Sequence, residues 1–518
     1  MSFKVLFLAG FLALACCSSP AYCMADPGAI SRKYTYETLS PYQKSLLDDF
    51  IEDEFPKGTK LVDALDDHTS LRNKTRLAQA LLFRNSQDDF ENALNVLRWI
   101  LKYQHQDEKS RNYGIWRTSV VDDRLDQNWR EFIGCDLIII YQNYKKKLPD
   151  DILKGIEIGL THAAKGALKR NVGADYTNIS IMSAFLMDFV GTEFKNGELK
   201  KAGLKKADDI FTLYNQHKTF SEYNSPTYYG VTLIALALWR ELALSTELRE
   251  MGKNLESQFW NEITIFYNPN LMNMPGPYFR GYGMDMRKYY SITGLWIAIA
   301  LNNKNLSPIP FKQAPKYGEV SNITAIFHLG LDIPKASFAQ LTKFTGPRFI
   351  SRSVPNYYKG DSIKHVTAMI ANDWMMGGLW GNRRAWNQIK TGTIHWKTNG
   401  SDIGWLLVPG DGNTNVKVTK TEMKIYLANK DATQIQLFVS GKDMSLKMFA
   451  DNKWTLSGMT LNMSTKLKRI KVEEMDSAIF QNEQAVSDSP SQIIKVTYEV
   501  PLSWDRANEL IQIGPVKK

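Results

Sequence analysis

Cysteine is nearly missing from the body of this 518-residue chain: three of its 4 cysteines stand at positions 16, 17 and 23, which leaves Cys135, in FIGCDLIII, by itself. A lone thiol closes no loop, so a disulfide scaffold is excluded and Cys135 reads as a core thiol. Histidine is also sparse, 7 in all, with no H-x-H or HExxH pair, so a catalytic zinc is not expected. No cofactor is expected, although calcium stays open because oxygen ligands leave little trace in sequence. After the first residues no apolar run reaches the roughly 18 residues needed to span a bilayer, so the mature chain is expected to make no membrane contact of its own.

What is present begins with MSFK, the apolar run VLFLAGFLALACC, and SSPAYCMAD. This succession reads as a secretory signal over residues 1–25, cleaved near Cys23 or Ala25, with a lipoprotein signal at LALAC as the lesser alternative. The expected location is secreted and extracellular, or periplasmic in a bacterium. Hydrophobic content of 44% with 12% aromatics excludes a disordered chain. The 13 tryptophans and 23 tyrosines suit the apolar faces of sugar rings, and are equally ordinary core residues. A formal charge of +10 points outside the cell to acidic polysaccharide over nucleic acid, or to nothing beyond solubility. Asn-x-Ser/Thr triplets at Asn73, Asn178, Asn305, Asn322, Asn399 and Asn462 are possible glycan acceptors.

From residue 42 to 302 apolar positions recur at three and four residues, as in DDFENALNVLRWILKYQ, NISIMSAFLMDFVG and SITGLWIAIALNN. Helix pairs with short polar loops predict a toroid of alternating inner and outer helices. Past residue 307 the segments are short, β-branched and aromatic, and divided by Gly, Asn and Asp, as in GTIHWKT, GWLLVPG and QIIKVTYEV. The predicted fold is α+β multidomain: an N-terminal (α/α) toroid over residues 26–306, then a C-terminal antiparallel β-sandwich over 307–518. The join is placed near residues 303–320, where NKNLSPIPFKQAPK supplies three prolines. A monomer is expected.

Four segments concentrate polar and aromatic residues at helix starts. In DQNWREFIG, Asn128 and Trp129, with Trp116 upstream, are candidate substrate-binding residues, or else a helix cap and core plugs. In GADYTNISIMSAF, Asn178 lies in a first helical turn, as site residue, cap or glycan acceptor. In FSEYNSPTYYGV, Pro226 opens a helix with Tyr228 and Tyr229 in its first turns and Glu222, Tyr223 and Asn224 in the lead-in; a tyrosine cluster of purely structural use competes. In GPYFRGYGMDMRKYYSITGLW, Arg280 and Arg287 flank a glycine-rich turn holding Tyr282 and Asp285, where an arginine fork suits carboxylate or sulfate and simple capping is the rival.

The order NWREFIG, GADYTNI, F-x-E-Y-N-S-P-T-Y-Y-G-V and Arg-Gly-Tyr-Gly resembles two-domain polysaccharide lyases of the hyaluronate, chondroitin and xanthan type, and more distantly alginate or heparin lyases. Those enzymes carry an Asn-Trp-Trp segment, a Gly-Ala-Asn segment, a histidine before Tyr-x-Gly-x-Tyr-Gly, and a later arginine. Here Glu222-Tyr223-Asn224 replaces the histidine, and His217 lies upstream. The resemblance implies β-elimination on an acidic, uronate-containing polysaccharide. Tyr228, then Tyr223, with Asn178, Arg280 and Glu222, are its candidate catalytic residues; Asn128, Trp129, Asn224, Tyr229, Tyr282, Arg287 and Trp116 are candidates for substrate binding. His365 and His395 lie in the β domain, from which a side chain can complete the cleft, whereas His162 and His328 read as structural. A guanidinium beside a tyrosine favours its phenolate, so a tyrosine beside Arg280 can serve as base or, protonated, as acid, while Asn178, Asn128 or an arginine donates to offset the carboxylate charge. Two rivals stand: a glycoside hydrolase pairing Asp122 or Asp123 with Glu222 or Asp285, and a carbohydrate-binding protein without catalysis.

Overall fold

The structure, a computed structural model, describes residues 28–122, 125–356, 363–488 and 492–517. The segment read as a signal, with Cys16, Cys17 and Cys23, lies outside the described residues, as does Asp123. A short strand β1 (Ala29–Arg32) leads into helices α1 (Pro41–Glu54), α2 (Leu61–Ala64), α3 (Leu71–Arg84) and α4 (Asp89–Ile100). Then follow α5 (Trp129–Tyr144), α6 (Asp150–Arg170), α7 (Thr177–Glu193), α8 (Gly197–His217), α9 (Tyr228–Leu242), α10 (Thr246–Phe266) and α11 (Ile292–Leu301). Side-chain caps set several starts: Ser70 accepts from the Asn73 N–H, and Asn196 from the Leu199 N–H. Left-handed Asn85, Asn171 and Asn302 end α3, α6 and α11.

Two kinds of helix alternate, and their sequences say why. α7 is buried without a break from Thr177 to Gly191, and α11 from Ile292 to Ala300, so each is apolar all round. α6, α8 and α10 bury only one stripe and show charge on the other side. The inner helices α3, α5, α7, α9 and α11 pack in succession, each of the first four also on its hairpin partner α4, α6, α8 or α10. That is the predicted (α/α) toroid. A later helix, α12 (Ile323–Leu329), packs on α3 at one end of this succession and on α9 and α11 at the other, and so bridges the ends of the ring.

The predicted join falls differently. Asn302 and the prolines of residues 303–316 end a helix, not the domain, because α12, β2 (Leu331–Pro334) and α13 (Lys335–Thr342) follow and pack on the helical layer. β2 pairs antiparallel with β1, so the amino end of the described chain is tied to this late segment. The sandwich begins with β3 (Arg348–Val354), β4 (Lys364–Ile370), β5 (Trp374–Trp380), β6 (Lys390–Lys397), β7 (Ile403–Pro409), β8 (Thr414–Val418), β9 (Met423–Leu427) and β10 (Gln434–Ser440). It ends with β11 (Lys453–Leu456), β12 (Met459–Thr465), β13 (Lys468–Met475), α14 (Ser477–Gln484), β14 (Ile493–Glu499) and β15 (Glu509–Lys517).

Its large sheet has the order β13-β14-β10-β7-β6-β5-β4-β3 and its small sheet β11-β12-β15-β9-β8, every described pairing being antiparallel. Alternate residues of the large sheet face opposite ways. Ile350, Val366, Ala368 and Ile370 join the helical core, while Met376, Ile394, Leu406 and Val408 pack against the small sheet. The large sheet is therefore the wall shared by both domains. Gly377 on β5 leaves room for the Gly276 carbonyl, which seats the long α10–α11 loop on that wall. No helix among the described residues is long and apolar enough to cross a membrane.

Gly230 has a comparable role inside the ring. A Cβ there would overlap the backbone of Ile292 and Thr293, so α9 and α11 meet through a missing side chain. Gly230→Ala is expected to destabilise the protein by about 1–3 kcal/mol, the usual range for overpacking. Denaturant unfolding checks this, and an unchanged midpoint would refute the close crossing.

Candidate functional site

The inner helices open at one end of the ring, and their first turns line a cavity of about 170 Å³. α3 gives Arg72 and Arg76; the start of α5 gives Asn128 and Phe132; α7 gives Asn178 and Ile179; α9 gives Tyr228 and Val231; α11 gives Ile292. The α10–α11 loop adds Arg280 and Tyr282, and the stretch before α12 adds Lys316, Glu319 and Asn322. Converging helix amino ends carry partial positive charge, so the backbone itself favours an anion here. Arg72 and Lys316 join no ion pair among the described residues, whereas Arg76 is bound to Asp136 at 3.1 Å.

Glu222 organises this end without lining it. It is fully buried, and its Oε1 accepts from Arg280 Nη1 at 2.7 Å. Its Oε2 accepts from the Asn178 backbone N–H at 3.3 Å and, more closely, from Asn178 Nδ2. Arg280 then lies over the Tyr228 ring, 3.7 Å from its centroid, and Nη2 donates to the phenol oxygen. Tyr282 shares a hydrogen bond with that oxygen at 3.2 Å. The lead-in of α9 and the loop are further joined where the Phe279 N–H donates to the Tyr223 carbonyl and the Ser225 hydroxyl to the Arg280 carbonyl.

This geometry bears on two expectations. Burial pushes the Tyr228 phenol well above its usual value, outweighing the downward pull of Arg280, while Tyr282 and Glu222 add to the rise. At neutral pH Tyr228 is thus a phenol, the protonated one of the two forms expected of it. Asn178, in turn, spends its amide N–H on Glu222, and its buried Oδ1 has no donor among the described residues, so it offers the cavity an acceptor. At 0% exposure it is not a glycan acceptor in the folded chain.

A second cavity, about 740 Å³, continues from the first through Asp126 and Asn128, with Trp129, Tyr176 and Arg170 on its walls. Asn128 Nδ2 donates to the Tyr176 hydroxyl at 3.0 Å, and Arg170 Nη2 donates to Asn128 Oδ1 at 2.9 Å. Behind them Glu131 is fully buried, 3.6 Å from Arg170, and no side chain among the described residues hydrogen-bonds to it. Burial pushes its carboxyl up to about 7, against the guanidiniums of Arg130 and Arg170.

Other candidates lie away from both cavities. Tyr223 is in the core, edge-on to Phe266 and Phe279. Tyr229 is buried and donates to Glu262 at 2.6 Å. Asn224, in left-handed backbone at φ 52°, donates to the Pro275 carbonyl at 2.6 Å and braces the loop. Trp116 is fully buried beneath α6. Arg287 pairs with Asp285 and donates to the Ser401 carbonyl at 2.6 Å. No histidine lines the first cavity, although His68 lines the second. His217 meets Ser353, His395 is buried against the Met284 carbonyl and held down to about 3 by burial, and His365 is exposed on β4. Of the carboxylates considered for hydrolysis, Asp122 lines the second cavity, but Asp285 and Glu222 line neither.

Sequence reasoning missed Arg72, Arg76, Lys316 and Arg170. The first two are spaced i, i+4 in LRNKTRLAQ, one face of a helix, which was the available signal.

The chain belongs to a family described as a domain of unknown function (DUF8769), whose model matches residues 48–327, a span that includes every residue lining the first cavity. No curated protein matches the chain. Among solved structures, a point mutant of the chondroitin AC lyase of Streptomyces coelicolor A3 is similar with a TM-score of 0.42 and 10% identity, over 92% of this chain and 83% of that one.

Glu131 supplies a pH test. Its folded pKa, about 7, lies above the ordinary 4.5, so the folded state holds a proton that the unfolded chain releases. The stability it contributes is complete below that ordinary value and is lost as pH rises through about 7. Glu131→Gln is therefore expected to gain melting temperature relative to the native protein between about pH 5 and pH 8. A constant difference across that range would refute the assignment.

Proposed function

We propose that this chain is a polysaccharide lyase that cuts a uronate-containing extracellular polymer by β-elimination at the cavity holding Tyr228. The observation that carries the reading is the Tyr228 oxygen, held by Arg280 and Tyr282 in a pocket where helix amino ends converge and where Arg72 and Lys316 join no ion pair among the described residues. An acidic sugar is the ligand such a pocket favours. Arg72 and Lys316 offset the uronate carboxylate, which makes the C5 proton removable. Asn178 Oδ1 accepts from a sugar hydroxyl, and Trp129 and Tyr176 in the adjoining cavity face the next sugar.

Tyr228 reacts after losing its own proton, with Arg280 and Tyr282 stabilising the phenolate. The phenolate takes the proton from C5, the C4–C5 double bond forms, and the C4–O4 bond breaks. Tyr228 then returns that proton to O4 on the same face of the ring, which restores the phenolate. No water, oxidant or metal enters the balance: one chain becomes a new hydroxyl end and a 4,5-unsaturated uronate end.

Incubation with a panel of acidic polysaccharides is expected to yield the ultraviolet absorbance of the unsaturated uronate, and Tyr228→Phe to lower kcat by about 10²–10⁴-fold. New reducing ends formed without that absorbance, or binding without cleavage, would overturn the reading.

A second test is the pH profile. Because burial holds the Tyr228 phenol high, kcat is expected to climb on the alkaline side as the phenolate forms. Arg280→Gln removes the group that pulls this ionisation down and is expected to move the limb to higher pH. An unmoved limb would remove Tyr228 from the role of base.

A further inference from the structure

The α10–α11 loop carries Arg280 and Tyr282 through residues 267–291 without a helix or a named strand. Its backbone is held from the sandwich side. Tyr278 and Lys390 exchange backbone hydrogen bonds at 3.2 and 3.0 Å, and the Gly281 N–H donates to the Gln388 carbonyl at 2.8 Å. Beyond α14 the chain returns beneath the loop, where the Ser487 N–H donates to the Tyr282 carbonyl at 2.7 Å. At the next residue, Asp488 Oδ2 accepts from two consecutive loop N–H groups, Met284 at 2.9 Å and Asp285 at 2.8 Å.

We infer that Asp488, contributed by the far end of the sandwich domain, is a positioning residue that fixes Arg280 against Tyr228 by clamping the loop four and five residues downstream of Arg280. Asp488 is 2% exposed, and its Oδ1 has no hydrogen-bond partner among the described residues. A carboxylate half satisfied in the interior is costly, so packing alone does not account for it. What it provides is one oxygen on which two N–H groups converge, which fixes the direction of the backbone between them. Without it both N–H groups would lie buried and unpaired, and the loop must move to find water. Arg280 sits in left-handed backbone at φ 56°, a conformation that its surroundings must hold in place. The neighbouring charges do not substitute for Asp488: Asp285 is engaged with Arg287, and Lys390 donates to the Asn387 and Gln484 carbonyls. The effect on turnover rests on the lyase reading; the effect on the loop does not.

The test compares Asp488→Ala with Asp488→Asn, which keeps an oxygen able to accept both N–H groups. In Asp488→Ala, amide hydrogen exchange over residues 278–286, and phenylglyoxal modification of Arg280 read by peptide mass spectrometry, are expected to rise about tenfold, with α7 and α9 unchanged. Where the panel provides a substrate, kcat is expected to fall about 100-fold with KM little changed. Asp488→Asn is expected to stay within a few-fold of the native protein on each measure. Unchanged exchange and arginine reactivity in the alanine variant would overturn the inference, as would faster exchange spread evenly over the chain, or an asparagine variant as impaired as the alanine one. The exchange and modification measurements need no substrate, so a silent polysaccharide panel would sink the lyase reading alone.

Discussion

The buried carboxylate of Glu222 is the fixed point of the candidate site. It reaches the start of α7 through Asn178, the α10–α11 loop through Arg280, and Tyr228 indirectly through the guanidinium. An unpaired carboxylate at this depth would cost several kcal/mol, so the protein gains by bringing a cation and an amide to it. Arg280 cannot leave Tyr228 without also abandoning that charge. The helix amino ends surround the arrangement and add a positive field that no single residue supplies.

This arrangement gives Glu222 a use different from that of a catalytic carboxylate. It does not face the cavity; it decides what faces it. By taking the Asn178 amide it turns the asparagine into an acceptor, and by holding Arg280 it leaves Arg72 and Lys316 as lining cations outside any ion pair among the described residues. In the lyases whose motif order the chain resembles, a histidine occupies the corresponding place in the sequence. Here a negative charge occupies it, and the cationic side chains around the pocket offset that charge.

The helical ring and the sandwich were legible because burial writes itself into composition: inner helices are apolar throughout, outer ones are striped, and strands alternate. The gathering of Asn178, Glu222, Tyr228 and Arg280 was legible from polar residues placed at helix starts. What each side chain does there was not. Tyr223, Tyr228 and Tyr229 look alike in FSEYNSPTYYGV, yet only Tyr228 lines the ring's mouth: its helix neighbour Tyr229 is turned about 100° away, and Tyr223 precedes the helix and packs in the core. Arg72 and Arg76 were not singled out because the sequence does not say which end of α3 meets the other helices. The domain join was misread because proline marks the end of a helix as readily as the end of a domain.

Tyr229 has a consequence of its own. Its hydroxyl donates to Glu262, which pairs with Arg352 on β3 at 3.5 Å, so this phenol is anchored toward the sandwich while its predecessor meets the cavity. Two adjacent rings on one helix thus point to different domains and work as a key in two wards. α9 cannot roll about its axis to withdraw one ring without tearing the other from its seat, and the angular setting of Tyr228 is inherited from the junction between the domains.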